Sequence, residues 1–112
     1  MCRKILIIDD DSLYTRALIR KTYRHDFQFF TADSIKRAKA MIKLNQFDLV
    51  LANVKVPGGR SLSIKKLLQE TSPGTAIIFM SGIKNDFQYM QSHGEPCCEK
   101  QNIDQIVKRC LA

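Results

Sequence analysis

The sequence predicts an α/β fold in which helices cover both faces of an open, parallel β-sheet. Short strand-like apolar segments alternate with longer helix-like segments along the chain. Residues 5–8, 49–51 and 76–80 are continuous apolar runs, which are typical of parallel strands that are buried on both faces. The connections between segments are short, and this favours right-handed strand–helix–strand crossovers.

The strand candidates number five, and the fifth has the weakest pattern. In chain order they cover residues 4–8, 27–32, 48–53, 75–80 and 96–98. A chain of 112 residues can form one layered core, and the sequence contains no internal repeat, linker or low-complexity stretch. We therefore expect a single domain that spans residues 1–112.

Four helix candidates lie between the strands, and a fifth follows the last strand. The first covers about residues 12–24, and the second begins near Ser34. The third follows Gly58 and Gly59, and the fourth covers about residues 86–92. Together with the strands, these helices complete the alternating pattern on which the fold prediction depends.

The helix patterns also predict particular buried and capping residues. The first helix is expected to turn Leu13 toward the core, together with Ala17 and Leu18. The last helix opens at Asn102, an N-cap candidate with Gln105 three residues further on. Its apolar spacing has a period of 3.6 residues, which places Cys110 in the core.

Composition limits the cell compartments and the classes of partner that we expect for this protein. No apolar run approaches the roughly 20 residues of a membrane helix, and three aspartates follow the first strand instead of a cleavage site. We therefore expect a cytoplasmic protein that does not contact a membrane. None of the four cysteines forms a CxxC pair, so free thiols are expected rather than a metal site. The formal net charge of +7 favours acidic partners or nucleic acid, although solvated helix faces are the preferred explanation.

Polar residues follow several predicted strands at their carboxyl ends, where parallel sheets gather ligands. Asp9 and Asp10 follow the first strand, Asn53 ends the third, Ser81 follows the fourth and Lys100 follows the fifth. Each has a structural explanation when taken singly, as a helix cap, a turn residue or a solvated charge. Their combination in this order is far more specific than any one of them.

Several segments carry a resemblance to a known family. KILIIDDDSLYTRALIRKTY, FDLVLANVKVPGG and AIIFMSG, with Lys100 before a final helix, look like the receiver domain of response regulators. The resemblance covers essentially the whole chain. It implies a flavodoxin-like, doubly wound, five-stranded parallel sheet with strand order 2-1-3-4-5 and helices on both faces.

The resemblance also implies roles for the residues at the strand ends. Asp9 and Asp10 match the acidic residues that hold Mg²⁺ in the family. Asn53 stands where the family has the phospho-accepting aspartate. Ser81 matches the hydroxyl residue that hydrogen-bonds the phosphoryl group, and Lys100 matches the lysine that neutralises a phosphoryl oxygen.

Three positions depart from the family pattern. Gln101 replaces the usual proline after Lys100, and Cys97 stands where the family usually has a switch aromatic. Lys55 puts a cation two residues beyond Asn53, where side chains overhang the site. These departures suggest that the pocket differs from that of an ordinary receiver at more than one place.

The asparagine has two chemical consequences. Phosphoryl transfer needs a carboxylate nucleophile, and the uncharged amide of Asn53 cannot form a stable acyl phosphate. With only Asp9 and Asp10 charged and Asn53 as a third ligand, the Mg²⁺ site is weakened. A further hypothesis is that Lys55 or Lys100 occupies the metal position and holds the pocket in one state.

The favoured function is that of a receiver-like signalling domain, not an enzyme, with no bound organic cofactor. Its expected partner is a histidine kinase, a phosphotransfer protein or an effector protein, contacted through the fourth helix, fifth strand and fifth helix as in the family.

The alternative is an ordinary phospho-accepting receiver whose aspartate has been replaced by Asn53. A less favoured alternative is a nucleic-acid-binding module that uses a basic helix face of Lys36, Arg37, Lys39 and Lys43. A nucleotide-binding enzyme is disfavoured because no glycine-rich loop follows the first strand.

Overall fold

Five parallel strands form the central sheet of the computed structural model, which describes residues 2–111. The spatial order is β2-β1-β3-β4-β5, which confirms the predicted order 2-1-3-4-5. The strands are β1 (Arg3–Ile8), β2 (Phe27–Ala32), β3 (Leu49–Asn53), β4 (Ala76–Ser81) and β5 (Cys98–Glu99). Met1 and Ala112, the two ends of the predicted domain, lie outside the described residues.

The fifth strand is shorter than predicted and begins later in the chain. Only Cys98 and Glu99 pair with β4, opposite Met80 and Ser81, whereas residues 96–98 were expected. A two-residue strand leaves little unpaired backbone at this edge of the sheet, which limits edge-to-edge association. The shift also places Lys100 directly after the strand that pairs with the carboxyl end of β4.

Within residues 2–111, five helices surround the sheet. They are α1 (Ser12–Thr22), α2 (Ile35–Leu44), α3 (Leu62–Thr71), α4 (Lys84–Ser92) and α5 (Ile103–Cys110), the last preceded by a 3₁₀ turn (Lys100–Asn102). Asp11 caps α1 by accepting a hydrogen bond of 3.0 Å from the backbone N–H of Tyr14. Ser34 caps α2 in the same way, accepting from the N–H of Arg37 at 3.2 Å. Within residues 2–111, no helix has the length and apolar character needed to cross a bilayer.

Alternate residues of the strands point to opposite faces and build two core layers. Leu6 and Ile8 of β1 belong to the layer under α2, α3 and α4, whereas Ile5 and Ile7 belong to the layer under α1 and α5. All four side chains are fully buried. This explains why the sequence shows continuous apolar runs instead of alternation.

Two packing predictions were wrong. Leu13 is 77% exposed, because the buried stripe of α1 runs through Thr15 and Leu18. Leu13 precedes Leu18 by five residues, which rotates its side chain about 140° away from that stripe. Cys110 is also exposed, and Leu111, just beyond the helix, supplies the last buried side chain of this face.

The predicted capping by Asn102 is also absent. Asn102 closes the 3₁₀ turn with a helical backbone (φ −106°, ψ −2°), and its side chain makes no capping hydrogen bond. An N-cap residue normally has an extended backbone, which aims its side chain at the free N–H groups of the first turn. The preceding turn therefore removes the geometry that a cap with Gln105 would need.

A short antiparallel hairpin connects β3 to α3 and was not predicted. Its two strands, Lys55–Val56 and Gly59–Arg60, flank Pro57 and Gly58. Gly58 has a backbone φ of +96°, which residues with a Cβ rarely adopt, so glycine suits this turn. The hairpin lies immediately beyond Asn53 and forms one side of the sheet edge described below.

Candidate functional site

The register of the sheet brings the polar strand ends to one edge. Ile8 pairs with Ala52, so Asp9 and Asn53 follow side by side on β1 and β3. Asn53 pairs in turn with Met80, one residue before Ser81. Because the strands are parallel, all of these positions lie at the carboxyl edge of the sheet.

Asp9 and Lys100 form an ion pair across this edge. Lys100 Nζ lies 2.7 Å from Asp9 Oδ2, and the two side chains are 19% and 1% exposed. Lys100 is the cation beside Oδ2, whereas Oδ1 accepts from the Asp11 backbone N–H at 3.0 Å. A buried carboxylate of this kind depends on its cation for compensation of its charge.

Tyr14 of α1 contacts Lys100 through both its hydroxyl group and its ring. Its hydroxyl donates a hydrogen bond of 2.8 Å to the backbone oxygen of Lys100, and Lys100 Nζ lies 4.5 Å from the ring centroid. Burial, followed by the negative charge of Asp9, raises the pKa of the Tyr14 phenol well above its usual value. The phenol is therefore a hydrogen-bond donor at neutral pH, and it steadies the Lys100 backbone.

Ser81 is buried at the end of β4 and is engaged by the start of α4. Its Oγ–H donates to Asp86 Oδ2 at 2.6 Å, and the same oxygen accepts from the Ile83 N–H at 2.9 Å. These bonds satisfy both the donor and an acceptor position of the hydroxyl. A ligand that used the Ser81 hydrogen would have to displace the Asp86 carboxylate.

Asn53 makes its polar contacts within the β3–α3 connection. Its side-chain Nδ2 donates to the backbone oxygen of Lys55 at 2.8 Å. Its own backbone oxygen accepts a hydrogen bond of 2.6 Å from Ser61 Oγ, and Ser61 is completely buried. One of the two amide hydrogens is thus used internally, and the other hydrogen and Oδ1 remain available to a ligand.

The remaining predicted residues lie at the rim. Asp10 and Lys55 are exposed, so Lys55 contributes its backbone oxygen, and not its ammonium group, to the contacts around Asn53. The ammonium that pairs with Asp9 is that of Lys100. Lys55 and Lys100 were both considered as cations beside the carboxylates, and it is Lys100 that contacts Asp9.

The donor set at this edge suits a divalent cation less well than three converging carboxylates would. A hard cation would find the carboxylates of Asp9 and Asp10 and the neutral Oδ1 of Asn53, while Lys100 already neutralises Asp9. In the part of the chain that the structure describes, no group of three His, Cys, Asp or Glu side chains forms a metal-binding cluster.

Open space lies on both sides of the ion pair. A cavity of about 640 Å³ is lined by Ser81, Lys84, Phe87, Lys100 and Gln101, among others. A cleft of about 310 Å³ on the other side is lined by Asp9, Asp10, Arg16, Asp33 and Arg37, among others. The edge is therefore accessible to a protein or small ligand from two directions.

Three contacting residues were missed by the sequence reasoning. Tyr14 and Asp86 contact Lys100 and Ser81 respectively, and Ser61 anchors Asn53. An acidic residue in the first turn of a predicted helix was a detectable signal for Asp86. Tyr14 and Ser61 carried no local signal, because their partners are 86 and 8 residues away along the chain.

Cys97 provides a chemical test of this region. The pKa of the Cys97 thiol is raised to about 11. Burial is the largest cause, and the neighbouring Cys98 and Asp86 add smaller contributions. A raised pKa lowers the thiolate fraction at pH 8, so alkylation by iodoacetamide should be about a hundredfold slower than for a short cysteine peptide in the same reaction. Peptide mapping by mass spectrometry measures the rate at each cysteine. Labelling of Cys97 as fast as the added peptide would contradict the prediction.

This chain matches a family model and solved structures of response regulators, and curated relatives that are regulatory proteins. The family model described as the response regulator receiver domain matches residues 5–110. The chain is similar to the photosynthetic apparatus regulatory protein RegA of Rhodobacter capsulatus, with 24% identity over 80 residues covering 71% of this chain and 44% of that protein. RegA of Rhodovulum sulfidophilum is 26% identical over 78 residues, which cover 70% of this chain and 43% of that protein. These matches span less than half the length of the curated relatives.

Solved structures show the same fold at low sequence identity. The response regulator protein TrrA of Thermotoga maritima gives a TM-score of 0.78 at 18% identity, covering 97% of this chain and 99% of that one. The chemotaxis response regulator CheY4 of Vibrio cholerae gives 0.76 at 17% identity, covering 99% and 100%. The NtrC4 receiver domain gives 0.77 at 20% identity, covering 96% and 94%. At such identities the likeness establishes the fold alone.

Proposed function

The chain belongs to the response regulator receiver domain family, and on that premise we propose that it signals without accepting a phosphoryl group. It acts by binding another protein of a two-component or phosphorelay system. In this proposal it catalyses no reaction of its own. The observation that supports the proposal is Asn53, which ends β3 beside Asp9 at the carboxyl edge of the sheet.

The chemistry of Asn53 argues against phosphoryl acceptance. Transfer to a receiver requires an anionic oxygen that attacks phosphorus in line, and an amide oxygen has no formal charge. The Asn53 amide nitrogen is in addition bonded to Lys55 O, which holds the side chain in one orientation. Asn53 therefore keeps the approximate shape of an acceptor and lacks its reactivity.

We expect Mg²⁺ to bind weakly. Asp9 and Asp10 would hold the ion, with the amide oxygen of Asn53 as a third ligand. When bound, the ion would supply charge neutralisation to a phosphoryl group. Lys100, at 2.7 Å from Asp9, already supplies a fixed positive charge at the same edge.

The partner that we propose is a histidine kinase, a phosphotransfer protein or an effector protein. The excess of 18 basic over 11 acidic residues favours a partner with an acidic surface. A nucleic-acid partner is disfavoured, because no row of aromatic side chains interleaves Lys36, Lys39 and Lys43 along α2.

Intact mass after incubation with acetyl phosphate and Mg²⁺ tests the proposal. We expect no gain in mass for the protein with Asn53. The variant Asn53→Asp, treated in parallel, restores the carboxylate beside Asp9 and Lys100 and is the control for a competent pocket. A phosphoryl adduct on the unmodified protein, mapped by peptide analysis to the sheet edge, would contradict the proposal.

The same experiment distinguishes the alternative, an ordinary receiver whose acceptor has been replaced. Lys100 paired with Asp9 and the buried Ser81 favour that alternative, since both lie at the sheet edge beside position 53. An adduct that appears only in Asn53→Asp indicates that the pocket is competent and that position 53 alone blocks transfer. If neither protein gains mass, the pocket has changed beyond position 53, and the binding surface remains as the functional feature.

A further inference from the structure

We propose that Asn53 is a positioning residue, whose side-chain amide fastens the hairpin of residues 55–60 to the end of β3. Its Nδ2 donates a hydrogen bond of 2.8 Å to Lys55 O, the first residue of the hairpin. The hydrogen in this bond belongs to the side-chain NH₂ group, which asparagine has and aspartate lacks. The residue at position 53 thus controls the shape of the connection, in addition to its effect on phosphoryl transfer.

The base of the hairpin is held by the same residue. Ser61 Oγ donates to the backbone oxygen of Asn53 at 2.6 Å, and the Ser61 N–H donates to Val54 O at 2.9 Å. Ser61 follows the second hairpin strand directly and is completely buried. Asn53 is therefore bonded to both ends of the hairpin, through its side chain at Lys55 and through its backbone at Ser61.

The tip of the hairpin contacts α2. The backbone N–H of Ile35, the first residue of α2, donates to Pro57 O at 3.0 Å. Ile35 is buried and lies beside Gly58, where a Cβ would meet the Ile35 side chain at 3.5 Å. A shift of the hairpin would consequently disturb the start of α2 as well.

The outer strand of the hairpin contacts α4. The Arg60 guanidinium carbon lies 4.1 Å from the centroid of the Tyr89 ring. The His93 ring, at the end of α4, lies 4.3 Å from the same ring and is tilted by 39° relative to it. This arrangement connects the residues after Asn53 with the helix whose first turn binds Ser81. The amide of Asn53 thus supports a connected set of contacts along one side of the sheet edge.

Aspartate could not make the same bond. At neutral pH a carboxylate is an acceptor only, so its oxygen would face the Lys55 carbonyl oxygen without a hydrogen between them. Two oxygens cannot remain at the 2.8 Å separation of the present donor and acceptor without repulsion. We infer that the hairpin in its present position depends on an amide donor at residue 53.

This inference deepens the proposed function. It rests on that proposal in one respect, namely that the sheet edge is the signalling site. It explains how the domain could present one surface to a partner without phosphorylation or metal. Its experiment uses neither a phosphoryl donor nor a partner protein. Its outcome is therefore independent of whether the acetyl phosphate test succeeds.

Amide hydrogen exchange by NMR tests the role of Asn53. The reporters are the N–H groups of Ile35 and Ser61, which donate to Pro57 O and Val54 O. In Asn53→Asp and in Asn53→Ala, we expect both reporters to exchange about tenfold faster, as the loss of one hydrogen bond implies. The exchange of β1 amides is followed in the same spectra as a measure of global stability.

A matched control is available in Asn45. Its Nδ2 donates to Met41 O at 3.1 Å, so Asn45→Asp removes the same kind of hydrogen bond at the other end of α2. This variant should leave the exchange of Ile35 and Ser61 unchanged. Faster exchange in both Asn53 variants, with no change in the control, supports the proposal.

Three results would overturn it. If neither Asn53 variant changes the reporters, the bond does not hold the hairpin. If Asn53→Asp speeds exchange and Asn53→Ala does not, charge repulsion with Asp9 and Asp10 is the cause, and the amide has no positioning role. If Asn45→Asp speeds the reporters equally, the effect is not specific to position 53.

Discussion

Replacement of Lys100 by methionine is expected to lower the free energy of unfolding by about 3 kcal/mol, because it leaves the Asp9 carboxylate buried and unpaired. The Asp9 side chain is 1% exposed, and Lys100 Nζ at 2.7 Å is its cation. Loss of one partner of a buried ion pair typically costs about 3–5 kcal/mol. We expect the lower end of this range, because Lys100 is 19% exposed and water can partly replace its charge. Urea denaturation measures the change.

Two further variants make the Lys100 prediction specific. Arg37→Met removes an exposed ion pair with Asp33, in which the side chains are 73% and 60% exposed, and should change stability by less than about 0.5 kcal/mol. The double variant Asp9→Asn with Lys100→Met removes both charges and should recover most of the lost stability. The explanation fails if the double variant is as unstable as Lys100→Met alone, or if Arg37→Met costs as much.

Truncation of Leu51 to alanine is expected to cost about 3–4 kcal/mol, since it opens a cavity in the core layer under α1 and α5. Leu51 is 1% exposed and pairs with Ile7 in the middle of the sheet. It lies two residues before Asn53 on β3, so the strand that positions the site also supports the core. Thermal and urea unfolding of the variant measure the loss.

Leu13→Ala is the matched control for Leu51→Ala. The two substitutions remove the same atoms, but Leu13 is 77% exposed at the start of α1. We expect its effect on the free energy of unfolding to stay within about 0.5 kcal/mol. Equal losses in the two variants would mean that Leu13 is packed in solution, as the helical pattern alone had suggested.

The order of the strands and the edge where the polar residues gather were both predictable before the structure was known. Continuous apolar runs such as residues 49–51 indicated buried parallel strands, and the resemblance implied their order. Parallel strands place their carboxyl ends together, so Asp9, Asn53 and Ser81 had to share an edge. These conclusions required only the periodicity of the chain and the topology of a family.

Other features depended on angles and partners that no local pattern contains. Leu13 and Cys110 both carried an apolar signal, yet both are exposed. The helical period indicates a stripe, but the rotation and length of each helix on the sheet decide which residues of a broad stripe are covered. In α1 the covered stripe includes the polar Thr15, which hydropathy does not indicate.

By itself, therefore, the sequence determined the fold class and the edge of the sheet that carries the polar residues, and it supplied the chemical argument on which the proposal about Asn53 depends. Only the tertiary structure decided which of these residues touch. It paired Lys100 with Asp9, directed Ser81 toward Asp86 and turned the Asn53 amide to the Lys55 backbone. The physical reason is range: strand and helix patterns repeat over a few residues, whereas a hydrogen bond or ion pair depends on ångström distances between segments that are far apart in the chain.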